Sequence, residues 1–290
     1  MRRRPTTSAR CFMTTEPTRS RPARKAAEEA LVRVVHHYGD TPEFVVLGGL
    51  VPELLCDKSG RMHAGTTDID VQVDLEIAAG ATNAARLEQA LKNAEFESTD
   101  GRTWRWQTRA HESKAIVKFE LLTDLDDQPA SATVNFAECD SLGAVNLRGS
   151  RFASRDFVRH RLTSKVGGVY YNVEVNVTGV AGFLLAKSAA AYSRRKERDW
   201  YDIAFVLLHG NDGGPRIAAA RTKSIFETDL VGETRTALDE LLSNFTLESD
   251  QGPSAYALQF LIDHPEEDGN QLRADAVLAV KEYHGALFAR

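Results

Sequence analysis

Thr67-Asp68-Ile69-Asp70-Val71-Gln72-Val73-Asp74-Leu75 alternates polar and apolar residues without a break. A strand sends successive side chains to opposite faces. Ile69, Val71, Val73 and Leu75 therefore point one way, and Asp68, Asp70, Gln72 and Asp74 the other. Two carboxylates two residues apart on a half-buried strand repel each other. A cation is expected to compensate them, and a divalent metal is the natural one. The competing reading is a solvated strand edge, where aspartate is unfavourable but tolerated. Upstream, Phe44-Val45-Val46-Leu47-Gly48-Gly49-Leu50 reads as a buried strand running into a glycine pair and a short helix. Backbone N–H groups at such a turn favour an anion. Glycines for phosphate and carboxylates for metal point together to nucleotide chemistry.

The elements around these two strands follow from periodicity. Residues 24–38 fit an amphipathic helix, with Leu31, Val34 and Val35 at helical spacing and Gly39 as its stop. Residues 50–56 fit a short helix that tolerates Pro52 in its first turn, and residues 57–65 form a polar loop. A helix is expected over 83–94, with strands over 103–108 and 114–122, a turn over 124–129, and short strands near 133–136 and 145–147. Residues 170–177 form a further strand. From Val180 the pattern is helical, with helices expected over 179–192, 197–208, 215–226, 234–245, 254–263 and 272–288. The fold class is thus α+β: a mixed sheet with flanking helices over residues 24–178, then an all-helical lobe over 179–290.

Composition narrows the class. At 290 residues the chain buries a sizeable core. Its 42% hydrophobic and 27% charged residues are ordinary for a globular protein. No apolar run approaches the ~20 residues of a membrane span. Cys11, Cys56 and Cys139 are too few and too scattered for a disulfide framework or a zinc site, so a reducing, cytoplasmic setting is expected. Residues 1–25 hold eight Arg or Lys against Glu16 alone. That is +7 against −5 for the whole chain, which leaves −12 on residues 26–290. Residues 1–23, rich in Ser, Thr and Pro, are expected to be a disordered basic tail. Three readings of it stay open: a start-site artefact with Met13 as the true start, a nucleic-acid-binding arm, or an organelle transit peptide. The first is the expectation.

Two further constellations carry chemistry. In Ala115-Ile116-Val117-Lys118-Phe119-Glu120-Leu121-Leu122, Lys118 and Glu120 share one strand face. Glu120 would be the third carboxylate that lets two Mg²⁺ share three acids; a surface Lys–Glu pair is the alternative. Glu174 is a second candidate for that role, whereas Asp124, Asp126 and Asp127 read as solvated turn residues. In Leu185-Ala186-Lys187-Ser188-Ala189-Ala190-Ala191-Tyr192, Lys187 lies in a helix of small apolar residues, and a lysine buried there needs a partner. The following Arg194-Arg195-Lys196-Glu197-Arg198-Asp199-Trp200-Tyr201-Asp202 offers both signs of charge. Arg194 and Arg198 are suited to a triphosphate, and Asp199 or Asp202 to orienting the cations. Lys187, Arg194 and Arg198 share a stripe if the helix is continuous, though Ser193 is a candidate break. A solvated charge run is the alternative.

Together these segments resemble the nucleotidyltransferase superfamily with a polymerase-β-type fold. They look most like the abortive-infection nucleotidyltransferase toxins of type IV toxin–antitoxin systems. The resemblance covers residues 44–206 and rests on Gly48-Gly49, Thr67-Asp68-Ile69-Asp70, Lys118-Phe119-Glu120, Ala186-Lys187 and the Arg194–Asp202 segment. The chain departs from the pattern in two places. Ala186 and Lys187 are one residue closer than in the family, and the gap from Gly49 to Asp68 is long and carries Arg61 and His63. The resemblance implies transfer of a nucleoside monophosphate from an NTP, with Mg²⁺ (or Mn²⁺), to the 3′ end of tRNA, by a toxin with a cognate antitoxin. It implies that Asp68, Asp70 and Glu120 hold metal and that Gly48, Gly49 and Thr67 approach the phosphates. Lys187, Arg194 and Arg198 would neutralise them, with Asp202 as orienter. An aminoglycoside-like acceptor and a non-catalytic nucleotide-binding module are the alternatives.

Overall fold

The computed structural model describes residues 20–73, 81–99, 101–110, 115–166 and 168–289. The elements of the first part are α1 (Arg21–Tyr38), β1 (Val45–Leu47), a 3₁₀ turn (Gly48–Leu50), α2 (Val51–Leu55), β2 (Asp68–Gln72), α3 (Ala81–Asn93), β3 (Glu97–Thr99), β4 (Arg102–Arg109), β5 (Ile116–Thr123), β6 (Thr133–Asn135), β7 (Gly143–Asn146), α4 (Phe152–Arg155), β8 (Phe157–Val166) and β9 (Val169–Thr178). There follow α5 (Val180–Arg194), α6 (Glu197–His209), α7 (Pro215–Phe226), a 3₁₀ turn (Glu227–Asp229), α8 (Gly232–Ser243), α9 (Gln251–Asp263) and α10 (Gly269–Phe288). The class is α+β, and every described element after Thr178 is helical.

The strands form one mixed sheet in the order β3-β4-β5-β2-β1-β9-β8, with β7 pairing β5 and β6. β2, the strand of the two aspartates, is central. It runs parallel to β5 and antiparallel to β1, and β1 runs parallel to β9. One sheet face carries Val46, Ile69, Val71, Val117, Phe119, Leu121, Val175 and Val177, all buried, and α1, whose Ala27, Leu31 and Val35 are buried in the same cluster, packs against the sheet. The opposite face carries Asp68, Asp70, Lys118 and Glu120 beside a small apolar cluster of Val45, Leu47, Leu122 and Ala153. The period-two pattern thus separates core from site within one strand. The main buried apolar cluster runs continuously from Ala26 to Leu287 and includes both sheet and helical residues.

α1 begins at Arg21, capped by Ser20, so residues 21–23 of the expected tail belong to a helix. Its end is as expected: Gly39 adopts φ 82° and closes the helix on the Val35 carbonyl. Residues 1–19 of the tail, Asp74 and Leu75 of the alternating stretch, and Lys114 lie outside the described residues. The ten-residue strand β8, not expected from periodicity, pairs along its whole length with β9. It is an edge strand on which Leu162 is buried while Arg159, Arg161 and Lys165 are exposed, so it lacks an apolar alternation to read.

α5 is anchored at its start by Asp156. This buried carboxylate accepts hydrogen bonds from the Ala181 and Gly182 N–H groups at 2.9 and 3.0 Å and from Arg221 Nη2 at 2.6 Å. A Cβ on Gly179 would meet it at 2.5 Å, so only glycine fits there. Asp156→Ala removes both the helix cap and the partner of Arg221 and is expected to cost about 2 kcal/mol. Urea denaturation measures this as a lowered midpoint. Asp156→Asn, which keeps an acceptor oxygen, is expected to lose less.

Candidate active site

The floor of the site is set by strand register. In the parallel pair β2·β5, Asp68 lies opposite Lys118 and Asp70 opposite Glu120. Antiparallel β4 then places Arg105 opposite Glu120. Three carboxylates and two cations therefore share one face. Lys118 Nζ donates to Asp68 Oδ1 at 3.3 Å, and Arg105 Nη2 lies 2.7 Å from Glu120 Oε1. Thr66 Oγ1 accepts from the Asp68 N–H at 3.1 Å and fixes the start of the strand. Asp70 has no hydrogen-bond or ion-pair partner among the described residues. Burial, followed by the Glu120 and Asp68 carboxylates, pushes its carboxyl up to about 7. Glu120 is also raised, chiefly by burial, with Arg105 opposing.

The glycine pair serves this floor. Gly48 adopts φ 77°, and a Cβ there would fall 1.9 Å from Asp70 Oδ2. Glycine is thus required twice, by backbone conformation and by the aspartate behind which it packs. Gly49 lines the cleft and approaches the Thr66 side chain.

The facing wall comes from α5 and α6. The chain turns between them at Arg195, which takes left-handed φ 48°. Lys187, Arg194 and Arg198 therefore do not share one continuous helical stripe; the turn folds the two helices together instead. Lys187, in the small-residue helix α5, is only 6% exposed. Its ammonium donates to Asp199 Oδ1 at 3.0 Å and to Asp202 Oδ2 at 2.6 Å, both aspartates being fully buried. Arg194 forks onto Asp199 with bonds of 2.6 and 2.7 Å. Burial works against the charge of Asp199, but Lys187 and Arg194 outweigh it and hold its carboxyl below the usual range. The other oxygen of Asp202 hydrogen-bonds His63 Nε2 at 2.9 Å. Across the cleft, Arg198 Nη1 stands 3.9 Å from Asp68 Oδ2 and joins the two walls.

The cleft between the walls encloses about 750 Å³, within the range of small-molecule sites. Asp68, Asp70, Glu120, Gly49, Thr67, Lys187, Arg194 and Arg198 line it. Gly48 and Asp202 stand directly behind Asp70 and Lys187. Glu174 is not brought to this place: it pairs with Arg161 on the β8·β9 hairpin. Asp124 is buried rather than solvated, accepting from the Gly149 N–H at 2.7 Å and pairing with Arg148. Sequence reasoning missed Arg105, whose only signal is a cation between Trp104 and Trp106 in a strand of unknown partner. It also left open that Asp199 is the hub shared by Lys187 and Arg194.

Among the described residues no three His, Cys, Asp or Glu side chains are arranged to hold a metal ion. Glu120 is engaged by Arg105 and Asp68 by Lys118, so the three carboxylates do not form a closed cage. The donor set nonetheless fits Mg²⁺, which is usually held by one or two carboxylates together with water and substrate phosphates. The raised Asp70 carboxyl is the mark of a group short of a cation. No protein-family model matches the chain, and no curated protein is significantly similar to it in sequence.

Two predictions follow from this geometry. An aspartate raised to about 7 keeps a proton in the native state that the unfolded chain releases near pH 4. Stability therefore falls as pH rises from about 4 to 7 and stays reduced above it. Asp70→Asn is expected to melt about 10 °C above wild type at pH 8 and equal to it at pH 4, with Mg²⁺ narrowing the pH 8 gap. Lys187→Met leaves two buried aspartates short of a cation and is expected to cost about 3–5 kcal/mol in chemical denaturation.

Proposed function

We propose that the protein is a metal-dependent nucleotidyltransferase that moves a nucleoside monophosphate from an NTP to the 3′ end of tRNA, acting as the toxin of a toxin–antitoxin pair. One observation carries the reading: a face of carboxylates and a wall of cations oppose each other across a single cleft, and Arg198 bridges them at Asp68. In such a transfer the acceptor hydroxyl oxygen attacks the α-phosphorus, the bond to the bridging oxygen breaks, and pyrophosphate leaves. Positioning and charge neutralisation supply the rate. Bound Mg²⁺ (or Mn²⁺) supplies neutralisation of the phosphate oxygens and would be held by Asp68 and Asp70. Glu120, with its raised carboxyl, would take the proton of the acceptor hydroxyl. Lys187 is matched by two aspartates, so it acts as an oriented N–H donor rather than a spare charge. Asp202 and His63 set that orientation. Arg198, loosely held at 3.9 Å, is the cation best able to turn to the leaving phosphates.

A small cationic acceptor, such as an aminoglycoside, is the second reading, favoured by the −12 carried by residues 26–290. Labelled NTPs with Mg²⁺, offered total tRNA and separately aminoglycosides, decide between them. The expected result is label on tRNA, lost at least about 100-fold in Asp70→Ala. Label on the drug alone overturns the RNA reading. No transfer with NTP still bound points instead to a non-catalytic module. Growth arrest on expression, relieved by Asp70→Ala or Lys187→Ala, tests the toxin role, and normal growth with wild type removes it.

A further inference from the structure

One stripe of α9 has the wrong polarity for its place. Ala255, Leu258, Gln259 and Ile262 are spaced three, four and seven residues apart and so share a helical face. All four line the cleft. The opposite face already fills the core, with Tyr256 and Phe260 buried. The outward face should then be polar, yet Leu258 and Ile262 are 65% and 64% exposed and no charged residue stands among the four. They form one uncharged side of a cleft whose other lining residues are mainly carboxylates and cations. Gln259 makes no hydrogen bond among the described residues, so its amide offers both a donor and an acceptor. The wall is rigidly seated. Tyr256 Oη lies 2.8 Å from His209 Nε2 of α6, burial holds that histidine down at about 4 and therefore neutral, and Phe260 stacks on the same ring.

We infer that this stripe is the seat of the nucleobase of the bound NTP, with Leu258 and Ile262 covering its ring face and Gln259 reading its polar edge. The inference rests on the nucleotide reading of the cleft and adds where the base lies. A ligand that suits all three zones has an anionic end, an uncharged flat face and a hydrogen-bonding rim, which is a nucleotide. A polycationic, polyhydroxyl acceptor gains nothing from two aliphatic side chains. The base belongs to the NTP rather than to the acceptor because α9 packs on α6, and α6 carries Arg198. Base and phosphates of one molecule thus meet a single pair of helices.

The test compares NTP with inorganic tripolyphosphate, which has the charge but no base. Binding of each to the full chain is measured calorimetrically with Mg²⁺, for wild type, the double variant Leu258→Ser/Ile262→Ser, and Gln259→Ala. Both aliphatic residues are exposed, so the double variant is expected to melt like wild type. The expected result is about a tenfold weaker NTP affinity in the double variant, with tripolyphosphate affinity unchanged. Gln259→Ala is expected to alter the order of preference among the four NTPs. Unchanged NTP affinity in the double variant overturns the seat and leaves the nucleotide reading standing. An unchanged NTP order overturns the edge-reading role of Gln259. If wild type binds neither NTP nor tripolyphosphate, the nucleotide reading falls and the seat with it.

Discussion

Like charges held on one sheet face are the constraint around which this molecule is arranged. The parallel register of β2 on β5 leaves Asp68, Asp70 and Glu120 no choice of side, because Ile69, Val71 and Phe119 must point into the core. Two unit charges ~4 Å apart near a protein surface interact by about 4 kcal/mol. Repulsion of that order demands compensation, and the neighbours supply it one carboxylate at a time. Lys118 and Arg198 address Asp68, and Arg105 addresses Glu120. Asp70 is left over, pressed against Gly48 and raised toward neutrality. Burial and charge thus concentrate the unmet demand on the central carboxylate, where an arriving cation gains most.

The second wall depends on a brace that runs between the two halves of the chain. The polar segment between α2 and β2 reaches across to α6. His63 bonds Asp202, and the Ala64 N–H donates to Tyr201 Oη at 3.0 Å. Glu53 holds the His63 N–H, and Arg61 pairs with Glu267 at 2.6 Å. His63 also stacks on Tyr201 and packs edge-on to Phe205. The long stretch from Gly49 to Asp68 therefore spaces the carboxylate floor from the cation wall. It also completes the partners of Asp202, so that Lys187 is held between two fixed oxygens rather than moving with its own flexible stem.

How much of this was legible in the sequence depends on the range of the interaction involved. Alternation from Thr67 to Val73 assigns Asp68 and Asp70 to one face because the period of a strand is local. The same holds for Lys118 and Glu120, for Gly39 as a helix stop, and for Lys187 as a buried lysine in want of a partner. What alternation cannot carry is register. That Asp70 faces Glu120, and that Arg105 answers Glu120, follows from pairings between strands far apart in the chain. β8 escaped notice for a related reason: its order comes from ten residue pairs with β9, not from apolar residues of its own. The break between α5 and α6 was legible, since separate helices over 179–192 and 197–208 with Ser193 as a candidate break were expected; only its pivot, a non-glycine residue in the left-handed conformation at Arg195, was not. The stripe through Lys187, Arg194 and Arg198 required a continuous helix, and that break removes it. The α9 stripe was hidden differently, since an apolar face reads as core until the other face proves to be the core.

Charge balance in the cleft bears on how its ligand is held. Arg105, Lys118, Lys187, Arg194, Lys196 and Arg198 line it. Against these six cations stand Asp68, Asp70, Glu120 and Glu197 in the lining and Asp199 and Asp202 immediately behind it. Six carboxylates stand against six cations, so the protein's spare positive charge for a polyanion is no more than the raised carboxyls of Asp70 and Glu120 leave. A nucleoside triphosphate held by the chain alone would have to pull Arg198 from Asp68 or Lys118 from the same carboxylate, exposing the repulsion that those contacts relieve. Cations that arrive with the ligand remove the conflict, because they satisfy the carboxylates and release the side-chain cations to the phosphates in one event. On the proposed reading, affinity for the nucleotide and affinity for the divalent ion would be two sides of one linkage, and that linkage would originate in the register that crowds three acids onto one sheet face.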